Sequence, residues 1–176
     1  MIIPEIVASG RPFEGALIAI ELDTLSRGGD KPFVREIAVV TDVVAIVAID
    51  EQDRVLLVRQ YRHAMRCPVW EIPAGRIDVE GETPAQTAAR ELREEADVLA
   101  EQMKLLTVFG NSVGWTTEKT YLFLATGLEG VAPFERQNEE ADIEKSWVPL
   151  PEALAMIHNR TITDAKTIIG ILLATK

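Results

Sequence analysis

The sequence predicts an α/β fold in which a mixed β-sheet lies between helices and a β extension precedes it. The supporting observations are apolar β-branched runs in the first half, one strongly capped helix after them, and strands and helices that alternate afterwards. The 176 residues, of which 47% are apolar, suffice for one globular core. We expect residues 1–41 to form the extension and residues 42–176 to form the main domain.

Strands are predicted where apolar and β-branched residues run between turn-forming residues. Residues 15–22 and 33–40, on either side of a glycine-rich turn, are expected to build the extension. The nearly continuous run at 43–49 suits a strand buried on both faces, and after the turn at 50–53 the run at 55–61 is expected to pair with it as a hairpin. The other predicted strands cover residues 70–72, 103–109, 120–125 and 145–148, and the later helices cover residues 151–159 and 164–173.

The start of the central helix is indicated by local chemistry. Thr83 suits the N-cap, Pro84 suits the first helical position, and Gln86 completes a capping box with Thr83. Small and apolar residues at helical spacing are expected to form its buried side. These residues are Ala85, Ala88, Ala89, Leu92 and Ala96.

The same helix carries Glu91, Glu94 and Glu95 at spacings i, i+3 and i+4, so their carboxylates share one face. Like charges this close repel, and partial shielding from water makes the repulsion more costly. A divalent cation with hard oxygen ligands would relieve it. A solvated helix face is the alternative interpretation, but the flanking residues favour a metal-binding helix.

These residues resemble the box of the Nudix hydrolases, in which a glycine and a glutamate precede Arg-Glu-aliphatic-x-Glu-Glu-x-Gly-aliphatic. The matching positions are Gly75, Glu82, Arg90, Glu91, Leu92, Glu94, Glu95 and Val98. Six residues rather than the family's five separate Gly75 from Glu82, and Asp97 stands where the last glycine belongs. Aspartate tolerates the left-handed conformation with which such helices end. The resemblance implies the α/β/α sandwich of that family and hydrolysis of a diphosphate.

The resemblance also implies Mg²⁺, with Mn²⁺ as an alternative, and a set of site residues. The implied metal set comprises Glu91 and Glu95 as principal ligands, Glu94 in support, the backbone carbonyl of Ala74, and Glu82 as a further acidic member. Arg90 would orient the glutamates. Glu94 also counts among the implied catalytic residues, and the general base would be Glu139 or Glu140 in the acidic stretch 135–144, with Glu139 the first choice.

Within the family, the stretch VLLVRQYRHAMRCPVWEIPAG at 55–75 and the stretch DAKTIIGILL at 164–173 are similar to the branch that hydrolyses ADP-ribose and other nucleoside diphosphate sugars. That branch commonly has Ser-Pro-Gly after the box, whereas Val113 replaces the proline here. The substitution leaves UDP-, GDP- or CDP-linked compounds open as substrates. A non-catalytic domain that binds nucleotide sugars is the other alternative, although the intact glutamates argue against it.

Two arginines and two tryptophans are candidates for substrate contacts. Arg62 is expected on a substrate phosphate, because a guanidinium binds an oxyanion through two parallel hydrogen bonds. Arg59 lies on the same predicted strand at odd spacing, so the two arginines point to opposite faces, and a surface role is open for each. Trp70 and Trp115 would stack on a base, with a core position as the alternative for Trp70.

Charge and composition limit the kinds of partner that we expect for this protein. The net charge of −10 argues against a nucleic-acid polymer as ligand. The first residues lack a signal-peptide pattern and no apolar run is long enough for a bilayer, so we expect a cytoplasmic protein without a membrane partner. Cys67, the single cysteine, excludes an internal disulfide and is expected to be half-buried. The resemblance implies a homodimer through the extension, since residues 15–40 would make a poor free sheet edge.

Overall fold

The computed structural model describes residues 2–29, 31–133 and 142–175, which contain ten strands and three helices. The strands are β1 (Glu5–Glu14), β2 (Ile18–Ser26), β3 (Phe33–Val40), β4 (Val43–Ala48), β5 (Arg54–Arg62), β6 (Cys67–Glu71), β7 (Ala74–Arg76), β8 (Val98–Gly110), β9 (Lys119–Gly130) and β10 (Glu144–Pro149). The helices are α1 (Pro84–Ala96), α2 (Leu150–His158) and α3 (Ala165–Ala174). The chain divides into two units, Met1–Asp42 with Gly110–Lys119, and Val43–Phe109 with Thr120–Lys176.

The first unit contains an antiparallel sheet in the order β1-β2-β3. Gly28 (φ 78°) and Gly29 (φ 87°) follow β2 with positive φ, which other residues adopt only with strain. Strand β1 was not predicted, because Gly10 and Pro12 interrupt its apolar alternation. Its pairing with β2 shifts register between Gly10 and Phe13, so contact with the neighbouring strand decides this element.

The second unit contains a four-stranded sheet in the order β7-β4-β9-β8 and a three-stranded sheet in the order β10-β5-β6. Strand β4 runs parallel to β9 and antiparallel to β7. Its side chains alternate, since Val44 and Ile46 pack in one core cluster with residues of α1, while Ala45 and Val47 pack in another with residues of α2 and α3. The predicted strand buried on both faces is therefore confirmed. The mixed α/β fold, preceded along the chain by a β-sheet, is also confirmed.

The predicted hairpin of β4 and β5 is wrong. The two strands lie in different sheets and share only an isolated bridge between Ile49 and Val55. The turn itself is present, because the Asp50 carboxylate accepts hydrogen bonds from the backbone N–H groups of Gln52 and Arg54, both at 2.9 Å. Both edges of β4 are already paired, with β7 and with β9, so β5 pairs elsewhere.

Helix α1 has the predicted bounds, and Ala88, Leu92 and Ala96 are buried as predicted. Ala85 and Ala89 are exposed instead, whereas Glu91 and Glu95 are buried. The apolar pattern assigned small alanines to the core, although an alanine side chain gains little from burial. The acidic face of α1 is thus part of the packed interior.

Two further expectations concern exposure. Cys67 is exposed rather than half-buried, because it lies at the start of β6, an edge strand of its sheet. Within the part of the chain that the structure describes, no helix is both long and apolar enough to cross a membrane.

Candidate active site

The helix that carries the glutamates is fixed at both ends. The Thr83 hydroxyl accepts from the backbone N–H of Gln86 at 3.3 Å, and the Gln86 side chain accepts from the backbone N–H of Thr83 at 2.9 Å, which confirms the capping box. Asp97 adopts the left-handed conformation at φ 59°. Lys145 donates to the Asp97 carboxylate and, at 3.3 Å, to the carbonyl of Ala96. An ion pair between Lys145 and Asp97 thus supports the end of α1, at the position where the family motif has glycine.

Two glutamates of α1 lie against Ala74 and Gly75, the first residues of strand β7. Glu95 Oε2 accepts the backbone N–H of Ala74 at 3.0 Å, and Glu95 is only 4% exposed. A Cβ added to Gly75 would lie 2.0 Å from Glu91 Cδ. Only glycine therefore leaves room for the Glu91 carboxylate, which explains this residue of the motif by sterics.

Arg90 connects the remaining acidic residues of the motif. Its Nη1 donates to Glu91 Oε1 at 2.8 Å and to Glu94 Oε2 at 3.0 Å, and its Nε donates to Glu82 Oε2 at 3.2 Å. Burial by itself lowers the pKa of Arg90, but the charge of Glu91 and hydrogen bonds to the other glutamates outweigh it and raise that pKa above its ordinary value. Arg90 therefore stays charged and neutralises part of the acidic cluster.

A divalent cation site is not preformed here: among the described residues, no three His, Cys, Asp or Glu side chains converge as a ready-made metal site. Arg90 engages Glu82, Glu94 and Oε1 of Glu91. Glu91 also fills the space beside Gly75, and Glu95 lies at the Ala74 amide. These two carboxylates and the adjoining backbone of β7 supply hard oxygen donors of the kind that Mg²⁺ prefers. The residues present fit such a cation, with Glu91 and Glu95 as the central pair.

Arg62 is held by a carboxylate rather than left unpaired. Its Nε donates to Glu71 Oε1 at 2.7 Å and its Nη2 donates to Glu71 Oε2 at 2.9 Å. The hydrogen bond that Arg62 donates to Glu71 raises the pKa of Arg62 above its ordinary value. Both residues line a cavity of about 320 Å³ with Asp164 and Lys166 of the α3 N-terminus. Glu71 accepts from two of the five N–H groups of the guanidinium, and the other three donate to no residue in the part of the chain that the structure describes.

Arg59 points to the opposite face of β5, as its spacing predicted. It lies directly opposite Trp70 in the pairing with β6, and its guanidinium carbon lies 5.8 Å from the centre of the Trp70 ring. It also forms an ion pair of 3.2 Å with Glu144. Trp70 packs at the margin of the core cluster on the α2 and α3 side of the sheet. The structure therefore brings Arg59 and Trp70 together and separates them from Arg62.

Trp115 belongs to the first unit. The backbone N–H groups of Trp115 and Thr116 both donate to the Ser112 carbonyl at 3.1 Å, which closes a tight turn around Val113 without proline. Val113 is 89% exposed and Trp115 is 60% exposed. The Trp115 ring helps to line a cavity of about 270 Å³ with Asp23 and other residues of its unit.

Glu139 and Glu140 lie outside the described residues, so their assignment as general base stays a prediction. Sequence reasoning missed a polar cluster formed by Glu71, Asp164, Lys166 and Thr167. Asp164 was recognised only as the start of a helix. The available signal was its capping position together with a lysine two residues later, which does not indicate a partner distant in sequence.

Comparison with known proteins identifies the family. The family model for the NUDIX domain matches residues 40–168. The chain belongs to the Nudix family. This confirms the resemblance of the box, and the chain is accordingly a Nudix pyrophosphohydrolase, from a family that typically depends on a divalent metal.

Among its relatives, this Nudix hydrolase is 37% identical over 168 residues to the ADP-ribose pyrophosphatase of Mycobacterium tuberculosis (strain ATCC 25618 / H37Rv), covering 96% of the chain and 81% of the relative. It is 33% identical over 159 residues to the methanol dehydrogenase activator of Bacillus methanolicus, covering 90% and 85%. It is 31% identical over 165 residues to the ADP-ribose pyrophosphatase of Bacillus subtilis (strain 168), covering 94% and 89%.

A solved structure described as an ADP compounds hydrolase aligns with a TM-score of 0.84, covering 97% of this chain and 91% of the other. At 20% sequence identity, this similarity shows the fold alone. The predicted Nudix fold is therefore confirmed.

Proposed function

We propose that this Nudix hydrolase cleaves the diphosphate of a nucleoside diphosphate sugar such as ADP-ribose, giving a nucleoside monophosphate and a sugar phosphate. The observation that carries the proposal is the pair of buried carboxylates, Glu91 and Glu95, held against Ala74 and Gly75 of β7. The likeness to two ADP-ribose pyrophosphatases over most of the chain supports the substrate class.

The proposed reaction is a water attack on one phosphorus. A bound Mg²⁺ would supply charge neutralisation at the phosphoryl oxygens. Glu91, Glu95 and the Ala74 carbonyl would hold it, while Arg90 keeps Glu82 and Glu94 in place through its ion pairs. The water oxygen bonds to phosphorus, its proton passes to a glutamate base, and the bond between phosphorus and the bridging oxygen breaks. The bridging oxygen leaves with the other phosphate.

In this proposal Arg62 contacts a substrate phosphate through the N–H groups that Glu71 does not use. The bidentate pair with Glu71 fixes the plane of the guanidinium and so sets the direction of those remaining donors. Within the unit that carries Glu91 and Glu95, Trp70, which Arg59 covers, is the proposed aromatic contact to the base.

The substrate class is tested by a panel of ADP-ribose and UDP-, GDP- and CDP-linked compounds, each assayed with Mg²⁺ by phosphate release in the presence and absence of alkaline phosphatase. We expect ADP-ribose to yield phosphate only when phosphatase is present, because both products are phosphomonoesters. Nucleoside diphosphates complete the panel, because their hydrolysis would release phosphate without phosphatase. Binding without turnover of any compound would support the non-catalytic alternative and contradict the proposal.

The general base is tested by Glu139→Gln and Glu140→Gln. We expect one substitution, with Glu139 the first choice, to lower kcat by about 10²-fold or more while the KM changes little, since a positioned base typically contributes 10²–10⁴-fold. The other variant serves as its matched control. Equal and mild losses in both variants would remove this acidic stretch from the mechanism.

We also propose that a second copy of the chain covers the extension. All ten residues of the edge strand β1 are exposed, and the same unit exposes large apolar side chains, among them Ile6 (62%), Phe13 (52%) and Val34 (53%). An uncovered apolar sheet edge invites pairing with another chain.

The expected result is a dimer by light scattering at micromolar concentration and a shift toward monomer on Ile6→Asp. Leu172→Asp is the matched control, because Leu172 is 52% exposed but lies on α3 in the second unit. A monomeric wild-type protein would contradict this proposal without affecting the proposed reaction.

A further inference from the structure

Thr167, on the first turn of α3, connects this helix to Ile72, which lies two residues before strand β7. Its hydroxyl accepts the backbone N–H of Ile72 at 2.9 Å. The same hydroxyl donates to Asp164 Oδ2 at 2.7 Å. Thr167 and Ile72 are both fully buried, at 0% exposure, so water cannot replace this bond without opening the core.

The residues that follow Ile72 are attached to β4, since Ala74 and Gly75 of β7 pair with Ala45 and Val44. Pro73 has no N–H group, and its carbonyl accepts the backbone N–H of Ile46 at 2.8 Å. The N–H of Ala74 is donated to Glu95. The bond from Ile72 to Thr167 attaches the segment to α3 as well, two residues before the amide that contacts Glu95.

The hydroxyl of Thr167 has a fixed orientation because its acceptor is a charged carboxylate. Burial by itself raises the pKa of Asp164, but the charge of Lys166 and hydrogen bonds from Lys166 and Thr167 outweigh it and lower that pKa below its ordinary value. Lys166 Nζ lies 2.7 Å from Asp164 Oδ1 and 3.8 Å from Glu71 Oε2. Asp164 thus remains an acceptor for the Thr167 proton, and the hydroxyl oxygen is left to accept from Ile72.

The charged groups near Thr167 are paired with one another. Arg62 and Lys166 supply two positive charges to the cavity, while Glu71 and Asp164 supply two negative charges and pair with them. These ion pairs and hydrogen bonds hold Asp164 in place as the acceptor of the Thr167 proton.

We propose that Thr167 is a positioning residue for the metal centre: together with the pairing to β4, it fixes the segment of Ile72 that leads to Ala74 and Gly75 of β7, against which Glu91 and Glu95 lie. This rests on the proposed metal-dependent function. Backbone groups that orient metal ligands influence affinity although they do not touch the metal.

The test compares Thr167→Val, which keeps the shape but removes the acceptor, with Thr167→Ser, which keeps the hydroxyl. We expect Thr167→Val to weaken Mn²⁺ binding, followed by electron paramagnetic resonance without substrate, by roughly tenfold. Thr167→Ser should bind Mn²⁺ as the wild type does. In activity assays, the Mg²⁺ concentration for half-maximal rate should rise in Thr167→Val more than the KM for ADP-ribose.

Ile171→Val is the control for stability, because it deletes a buried methylene from the same helix without touching the hydroxyl. It should lower the melting temperature and leave Mn²⁺ binding unchanged. Amide exchange of Ile72 gives a second measurement, in which the wild-type amide should be protected as strongly as the core strand β4.

Three results would each overturn this inference without affecting the proposed function. The first is unchanged Mn²⁺ binding in Thr167→Val, and the second is Mn²⁺ binding that is weakened to the same degree in Ile171→Val as in Thr167→Val. The third is rapid exchange of the wild-type Ile72 amide. A wild-type protein that binds no Mn²⁺ would overturn the metal centre of the proposed function, and this inference with it.

Discussion

The Glu95→Gln variant is expected to lose at least about a hundredfold in kcat while keeping its fold. Glutamine has the shape of glutamate and its side-chain oxygen can still accept the Ala74 N–H, so packing at this site is preserved. What is lost is a negative charge beside Glu91, and with it most of the attraction for a divalent cation. The measurements are kcat, Mn²⁺ affinity and the melting temperature.

The stability of this variant separates a metal role from a structural one. Removing the charge of Glu95, which is 4% exposed, relieves repulsion from Glu91 but also removes attraction to Arg62, so the metal-free melting temperature should change little. Glu129→Gln, at an exposed position of β9, is the matched control and should change neither rate nor stability. Wild-type turnover in Glu95→Gln would remove Glu95 from the metal centre.

The second large effect is expected from Gly75→Ala. The added Cβ would lie 2.0 Å from Glu91 Cδ and 2.2 Å from its Oε1, so either the backbone of β7 or the carboxylate must move. Overpacking of this kind typically costs about 1–3 kcal/mol of stability. Because the displaced group is a proposed metal ligand, we expect the loss of activity to reach about a hundredfold.

The control for Gly75→Ala is Gly130→Ala, since a Cβ at Gly130 meets nothing within 4 Å. A double variant, Gly75→Ala with Glu91→Asp, sharpens the test. Shortening the Glu91 side chain should relieve the clash and restore part of the melting temperature, but the shorter carboxylate should not restore Mn²⁺ binding. Strictly additive stability effects would contradict the direct contact between Gly75 and Glu91.

Several parts of the site could be predicted from sequence because they depend on neighbours along the chain. The start of α1 follows from Thr83, Pro84 and Gln86, and its end from Asp97 in the left-handed conformation. The face shared by the three glutamates follows from helical periodicity. The opposite directions of Arg59 and Arg62 follow from strand periodicity.

Other features could not be predicted, because they depend on which elements meet. The sequence of β5 suits a hairpin with β4, but β4 already has partners on both edges. Periodicity placed Ala85 and Ala89 in the core, whereas the contact with β7 at Gly75 draws Glu91 and Glu95 inward instead. The pairs of Arg62 with Glu71 and of Lys145 with Asp97 are likewise formed between separate elements.

By itself, then, the sequence determined the family, the helix that carries the glutamates and the class of chemistry, since each follows from residues that are close together along the chain. Only the tertiary structure decided which carboxylates lie against Ala74 and Gly75 of β7 and what supports that segment. Thr167 and Ile72 are 95 residues apart, and neither has a local pattern that points to the other. Their hydrogen bond exists because folding buries an amide that must find a partner, and the start of α3 supplies one.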